Sequence, residues 1–169
     1  MNNHLMGGSD EFNVGVVDSG TTFTYVPNKL FQMLIVHFDW FCSLDSANHC
    51  KGKRIRGDGG DQATICFTYD ESQFREGPKR YFMSYPVLNF NVTTSSGLPT
   101  QLKWFPSEYL FRHKDNQYCM ALEKFARPNE ILLGGTFMRQ NNFIFDVEGN
   151  RIGVARASCN NDSNQIRNE

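Results

Sequence analysis

Short apolar runs separated by polar turns dominate the hydrophobic pattern of this chain. Runs of strand length that are rich in β-branched and aromatic residues predict strands. They lie at residues 12–17, 21–26, 63–69, 87–93, 101–105, 117–124 and 130–133. Near the C-terminal end, residues 142–147 and 151–157 flank Glu148-Gly149-Asn150, a sequence typical of a hairpin turn.

One segment has helical periodicity instead. Between Lys29 and Phe41, apolar residues recur every three or four positions, which predicts an amphipathic helix with Asn28 as its N-terminal cap. From residue 42 to residue 62 the pattern is lost, and the Gly- and Asp-rich residues 57–61 predict an exposed loop. Many short strands with one long helix predict a single, mainly β domain.

The charge balance excludes some classes of partner. The chain has 169 residues, with 17 Lys and Arg against 18 Asp and Glu, so it has no overall attraction to nucleic acid or anionic membranes. The basic run at residues 51–56 would suit a nuclear signal or an anion site, but the neighbouring Asp58 and Asp61 favour a solvated loop.

No apolar run is long enough to span a bilayer, and no membrane anchor is visible. Residues 1–11 form a polar segment without a signal-peptide core, and residues 161–169 a tail predicted to be disordered.

The five cysteines contain no Cys-x-x-Cys pair, which argues against a metal or redox motif. Cys42, His49 and Cys50 are the best alternative zinc ligands, but a second ligand pair is missing, so we predict no metal and no cofactor. The odd number of cysteines indicates a free thiol or a disulfide partner elsewhere.

Two Asn-x-Ser/Thr sequons begin at Asn91 and Asn161, and they accept sugar only in secreted proteins.

Asp18-Ser19-Gly20-Thr21-Thr22 carries the clearest chemistry. A carboxylate acts as general base on water only if it is rigidly aimed and partly shielded. Gly20 allows a tight turn, while the Ser19 and Thr21 hydroxyls and backbone N–H groups are suited to hold the carboxylate ionised. The alternative is a strand–turn–strand in which Asp18 only organises its own turn, and the triplet alone favours that reading.

The surrounding motifs reverse that preference. The Asp18 motif follows Val14-Gly15-Val16-Val17 and precedes Phe23-Thr24-Tyr25-Val26-Pro27; downstream come Ile131-Leu132-Leu133-Gly134-Gly135-Thr136-Phe137-Met138-Arg139, then Phe143-Ile144-Phe145-Asp146, Arg151-Ile152-Gly153-Val154-Ala155 and Cys159. This ordered set resembles the C-terminal lobe of the pepsin-like (A1) aspartic peptidases, nearer to the plasmepsin V, nepenthesin and memapsin-like branches than to pepsin. The resemblance implies that residues 12–160 form one half of a bilobal β fold, with one longer helix and short helical turns.

The resemblance also implies roles for the residues of the motif. Asp18 would be one of two catalytic aspartates, and the Ser19 hydroxyl would tie the two active-site loops together. Gly20 and Thr21 would donate hydrogen bonds around the carboxylate, and Thr22 would face substrate.

Further roles follow for residues distant in sequence. Leu132-Leu133-Gly134 would pass beside the Asp18 loop and support it, and Asp146 would be structural. Cys66 and Cys119 match the family's usual disulfide, and Cys159 resembles the cysteine that in relatives bridges to a residue upstream of this chain. Apart from the resemblance, Cys42 and Cys50 are close enough in sequence to close a small loop after the helix, although spacing alone leaves all three pairings of these four cysteines open.

The implied activity is aspartic endopeptidase: hydrolysis of a peptide or protein substrate by two carboxylates that share one proton. The sequence has one such Asp motif, so the second aspartate would come from a missing N-terminal lobe of the same protein, and we expect the chain alone to be inactive. The expected location is the secretory pathway, a vacuole or lysosome, or the extracellular space. The alternatives are a non-catalytic pepsin-fold binding or inhibitor module and, less favoured, a symmetric homodimer.

Overall fold

The computed structural model describes residues 12, 14–44, 49–56, 65–74 and 77–157. Its strands are β1 (Val14–Val17), β2 (Thr24–Pro27), β3 (Arg54–Arg56), β4 (Ile65–Thr68), β5 (Leu88–Thr93), β6 (Pro99–Trp104), β7 (Leu110–Lys114), β8 (Gln117–Met120), β9 (Leu122–Phe125), β10 (Glu130–Leu133), β11 (Asn141–Asp146) and β12 (Arg151–Arg156). Its α-helices are α1 (Asn28–Leu44), α2 (Lys79–Phe82), α3 (Pro106–Tyr109) and α4 (Gly135–Met138), with a 3-10 turn at Glu71–Gln73. The chain divides into two compact units, residues 1–137 and 138–169. The predicted N-terminal segment and tail, Cys159 and the Asn161 sequon lie outside the described residues.

The first sheet of the larger unit has the strand order β1-β10-β2-β9. Strand β1 runs parallel to β10, with Val16 opposite Leu132 and Val17 opposite Leu133. Strand β2 is antiparallel to β10 and parallel to β9. Pairing between β1 and β10 therefore brings the start of the Asp18 motif next to the segment that follows Leu133.

Helix α1 covers this sheet with the apolar face that the sequence predicts. Its buried residues are Leu30, Phe31, Leu34 and Phe38, at the three- and four-residue spacing of one helix face. They pack towards β2 and β9. Asn28 is the first helical residue and not a cap before the helix, and the helix continues to Leu44. No helix in the described ranges is long and apolar enough to cross a membrane.

The second sheet has the order β3-β4-β8-β7. Strand β3 corrects a prediction, because it lies inside the segment read as loop. Its residues Arg54 and Ile55 pair with Phe67 and Cys66 of β4, and the Arg54 guanidinium forms an ion pair with Asp39 of α1. A partner strand and a cross-element ion pair therefore order a segment whose own polar sequence predicts no strand. Strand β7 was also not predicted.

The predicted strand at residues 117–124 is two strands, β8 and β9, in different sheets. The break falls at Ala121, whose N–H donates to the Tyr109 carbonyl at 2.7 Å and whose carbonyl accepts from the Thr24 N–H at 3.0 Å. Ala121 is fully buried. One backbone position thus links the two sheets, which an unbroken apolar pattern does not reveal.

Large aromatic side chains form the core of the larger unit. Those that are essentially inaccessible to solvent include Trp104, Tyr81, Tyr109, Phe31, Phe67 and Phe137. A mainly β architecture with one long helix is confirmed.

The β5–β6 hairpin forms a separate two-stranded sheet of this unit. Leu88 and Trp104 are opposite each other in the register and are both buried. A turn with Gly97 at φ +79° joins the strands. The hairpin is therefore anchored at the end where these two side chains enter the core.

The smaller unit contains the β11–β12 hairpin that the sequence predicts. Asp146 holds its turn: Oδ1 accepts from the Gly149 N–H at 2.8 Å and Oδ2 from the Arg151 Nε at 2.6 Å. These bonds lower the pKa of Asp146. The large apolar side chains of Phe145, Val147 and Ile152 are exposed to solvent.

Candidate active site

Asp18 lies where strand β1 ends. Its N–H donates to the Leu133 carbonyl at 3.1 Å, which continues the β1–β10 ladder by one step. The chain then turns, and the Thr21 N–H donates back to the Asp18 carbonyl at 3.4 Å. The Asp18 backbone is thus held by a neighbouring strand on one side and by its own turn on the other, while its side chain is half-buried.

Two donors orient the Asp18 carboxylate. The Gly20 N–H donates to Oδ1 at 2.8 Å, and the Thr21 hydroxyl donates to Oδ2 at 2.6 Å. The Thr21 hydroxyl is the larger cause, and the Gly20 N–H the second, of a pKa of Asp18 below its ordinary value. Hydrogen bonds to the charged form favour ionisation and fix the carboxylate's orientation. Each oxygen therefore has a dedicated donor from within the motif.

Gly134 allows the supporting segment to lie directly against the Asp18 loop. A Cβ on Gly134 would lie 2.1 Å from the Phe23 carbonyl oxygen and 2.6 Å from that of Thr21. Just beyond, the Gly135 N–H donates to the Thr21 carbonyl at 2.7 Å and the Thr136 N–H donates to the Thr22 carbonyl at 3.0 Å. Residues 132–134 therefore lie beside the loop, and backbone bonds from the next two residues hold it in place.

Trp104 supports the segment that follows Gly134 and holds the Asp18 loop. The sequence did not predict this contribution. Its Nε1 donates to the Thr136 carbonyl at 3.2 Å, and its ring packs edge-on against Phe137 at 5.6 Å between centroids. Trp104 is fully buried at the end of β6. A tryptophan next to the last residue of a predicted strand was the available signal, but its partner lies too far along the chain for any spacing rule to identify.

The outer side of the loop is open. Ser19, Gly20 and Thr22 are exposed, and the Ser19 hydroxyl has no hydrogen-bond partner among the described residues. Below them, the Phe23 ring stacks on Phe111 at 5.1 Å. The loop thus has a packed inner side and a polar outer side with hydroxyls available to a molecule or loop that approaches Asp18.

Two disulfides, Cys42–Cys50 and Cys66–Cys119, lie within the described residues. The resemblance implied the Cys66–Cys119 pair, and the Cys42–Cys50 pair closes the small loop after the helix that the sequence allowed. Cys66 and Cys119 are fully buried and directly opposite in the β4–β8 register. The first disulfide occupies both thiols that the alternative zinc site with His49 required. Within the described part of the chain, no group of His, Cys, Asp and Glu side chains is arranged to hold a metal ion.

Residues 6–156 match the family described as Xylanase inhibitor C-terminal. The chain belongs to this family. Relatives include Plasmepsin V of Plasmodium falciparum, 25% identical over 160 residues, and Aspartic proteinase 36 of Arabidopsis thaliana, 23% identical over 149 residues. Each alignment covers 85% of this chain and 26% of the relative. Aspartic protease 5 of Toxoplasma gondii is 32% identical over 60 residues, which is 36% of this chain and 6% of that relative.

Family membership and these relatives agree with the fold. The family match and these relatives confirm the prediction that the chain is the C-terminal lobe of a pepsin-like aspartic protease. The chain spans about a quarter of the length of Plasmepsin V and Aspartic proteinase 36.

Proposed function

We propose that this chain supplies one catalytic aspartate, Asp18, and half of the substrate cleft of an aspartic endopeptidase. The observation that carries the proposal is the Asp18 carboxylate itself. Both of its oxygens accept hydrogen bonds from the motif's own donors, while Ser19, Gly20 and Thr22 are exposed and leave the outer face of the loop accessible. A carboxylate that is ionised, oriented and reachable is what activation of a water molecule requires.

The second carboxylate would come from an N-terminal lobe of the same protein, outside this chain. Two carboxylates held close together cannot both ionise readily, so the pair retains one proton. The ionised member takes a proton from water as the oxygen attacks the peptide carbonyl carbon, and the protonated member donates a hydrogen bond to the carbonyl oxygen. In the paired state, the apparent pKa values belong to the dyad and not to Asp18 alone.

The exposed outer side of the Asp18 loop is consistent with an active site to which each lobe contributes one carboxylate. The Ser19 hydroxyl would bond the loop that carries the second aspartate, and Thr22, exposed on the same loop, would contact the substrate backbone. The substrate class is a peptide or protein. Endopeptidase activity therefore requires the partner lobe.

A second candidate is a non-catalytic binding or inhibitor module. The family description, Xylanase inhibitor C-terminal, favours it. A module of this kind needs the lobe and its surface, but it has no requirement for an ionised carboxylate at Asp18. The two candidates therefore differ in what they predict for a substitution that removes only the charge at this position.

The test is complementation of the chain with the N-terminal lobe that the proposal requires. We expect peptide cleavage at acidic pH when both lobes are coexpressed, inhibition by transition-state mimics that carry a hydroxyl in place of the scissile carbonyl, and no cleavage by either lobe alone. Asp18→Asn preserves shape and should lower cleavage by at least about a thousandfold.

Asp70→Asn is the matched control. Asp70 is a second carboxylate of the same unit whose oxygens accept from Ser72 and Gln73, so the control removes a comparably bonded charge away from the loop. It should leave cleavage unchanged. Activity of the chain alone, or activity that survives Asp18→Asn, would refute the proposal. Inhibition of a xylanase that persists in Asp18→Asn, without any cleavage by the paired lobes, would establish the inhibitor function instead.

A further inference from the structure

The β5–β6 hairpin has one face that is entirely open to solvent. Asn89, Asn91 and Thr93 alternate along β5 and point to the same side, opposite Lys103, Gln101 and Pro99 of β6. All six residues are exposed. Leu88 and Trp104, on the other side of the same hairpin, are buried. The hairpin is therefore anchored through one face and presents a second face on which every side chain except that of Pro99 is polar.

The sequon Asn91-Val92-Thr93 lies within this open face. Because side chains alternate along a strand, its acceptor Asn91 and its hydroxyl residue Thr93 are on the same, exposed side. The Asn91 Oδ1 accepts a hydrogen bond from Gln101 Nε2 at 2.9 Å. This bond uses the carbonyl oxygen of the amide, and Asn91 Nδ2 has no hydrogen-bond partner among the described residues.

We propose that Asn91 carries an N-linked oligosaccharide. The donor would be a lipid-linked pyrophosphate oligosaccharide of the endoplasmic reticulum. Asn91 Nδ2 forms a bond to C1 of the first sugar and loses one proton, and the bond between that carbon and the phosphate oxygen breaks, releasing the lipid pyrophosphate. The reaction needs no oxidant or reductant.

Two features of the structure support this modification. The two disulfides are compatible with passage through the secretory pathway, where the transferring enzyme resides. A glycan is bulky and needs open surface, and the neighbours of Asn91 on its face offer only exposed, mainly polar side chains. The folded chain therefore accommodates the sugar without displacing any buried group.

The modification has a consequence for the rest of the protein. The glycan would project from the side of the hairpin opposite Trp104, the residue that supports the Asp18 loop through Thr136. This face would then remain uncovered by any other lobe or macromolecular partner. Glycosylation of Asn91 does not depend on catalysis by Asp18.

The experiment uses the 169-residue chain behind a cleavable signal peptide in glycosylating eukaryotic cells. A C-terminal tag with its own sequon reports passage into the endoplasmic reticulum, and Asn161→Gln in every variant removes the other natural sequon. Gel mobility before and after an N-glycosidase counts the oligosaccharides. Peptide mass spectrometry then identifies the residue that the glycosidase converts from Asn to Asp.

We expect two oligosaccharides on the Asn161→Gln chain and one on its Asn91→Gln or Thr93→Ala derivative. Thr93→Ser, which keeps the hydroxyl, should retain both, as should Asn89→Gln, which changes an exposed asparagine on the same face outside the sequon. Glycosylation of the tag alone in the parent chain would overturn the proposal. A second oligosaccharide that persists in Asn91→Gln would also overturn it.

Discussion

The ionisation of Asp18 is controlled by the two residues that follow Ser19. Gly20 contributes a backbone donor, which no substitution removes without changing the turn, but Thr21 contributes a side-chain hydroxyl that can be deleted alone. The hydroxyl is also the larger cause of the lowered pKa of Asp18. The Thr21 hydroxyl is thus the part of the site whose electrostatic contribution can be isolated.

Thr21→Val should therefore raise the pKa of Asp18 towards its ordinary value. Valine keeps the branched shape of threonine but cannot donate, so the charged carboxylate loses its shorter hydrogen bond. The measurement is a titration of the Asp18 carboxyl carbon by NMR in the isolated chain. Thr22→Val is the control, because Thr22 is exposed and makes no such bond; it should leave the Asp18 titration in place. An unchanged Asp18 pKa in Thr21→Val would contradict this account.

Gly134 and Gly135 form a matched pair for testing the support of the loop. Alanine at Gly134 would place its Cβ 2.1 Å from a backbone oxygen of Phe23, whereas at Gly135 the nearest atom is 3.6 Å away, an ordinary contact. Backbone atoms cannot rotate aside as a flexible side chain can. Gly134→Ala should destabilise the chain by about 3 kcal/mol or more, and Gly135→Ala should stay within about 1 kcal/mol of the wild type, as measured by urea denaturation. Equal losses of stability in the two variants would show that the close backbone approach at Gly134 does not determine the stability of this region.

At this scale, the sequence predicts what is local and misses what is distant. The donors to Asp18 are two and three residues away, so the motif itself indicates them. Trp104 reaches the loop only through the Thr136 carbonyl. Every residue has a backbone carbonyl, so the identity of residue 136 does not indicate that its carbonyl accepts this bond. The support from Trp104 could therefore not be predicted from the sequence.

Among the larger elements, the second sheet depends on a covalent link between its central strands. Cys66 of β4 and Cys119 of β8 are register partners, fully buried, and separated by 53 residues in the sequence. The other disulfide joins residues only 8 apart, from the end of α1 to Cys50. The length of the loop that a disulfide closes determines how strongly the disulfide restricts the unfolded chain.

Removing the longer link should therefore cost more. On the chain-entropy scale, the Cys66→Ala, Cys119→Ala double variant should lose about 4 kcal/mol, against about 2.5 kcal/mol for Cys42→Ala, Cys50→Ala. The measurement is urea denaturation of both double variants in the same buffer. A larger loss from the shorter loop would show that native-state packing, and not loop closure, determines the contribution of these bonds.

Periodicity found the elements that form their own apolar face. Helix α1, the two hairpins and the strands beside Asp18 carry that signal. It failed for β3, which is ordered by its pairing with β4 and by the Arg54–Asp39 ion pair. It also failed at Ala121, where a continuous apolar run divides between two sheets. In each case the deciding contact lies outside the segment.

For the whole molecule, burial and hydrogen bonding predict a stability that falls at both ends of the pH scale. Hydrogen bonds lower the pKa of Asp18 and of Asp70, for which the Ser72 hydroxyl is the largest cause. The folded chain then binds fewer protons than the unfolded chain, so this stabilisation is present above the unfolded value of about 4 and is lost as pH falls through the lower folded values.

Buried tyrosines set the alkaline limit with the opposite sign. Burial raises the pKa of Tyr81, Tyr85 and Tyr109, so the folded chain retains protons that the unfolded chain releases above a pH of about 10. Urea midpoints measured across the pH range should therefore be level near neutrality and decline below pH 4 and above pH 10. Asp70→Asn should make the acid decline shallower, and Tyr85→Phe, which keeps the ring and removes the titrating hydroxyl, should do the same for the alkaline decline. If either variant lowered stability equally at every pH, its residue would contribute through packing or neutral hydrogen bonds and not through ionisation.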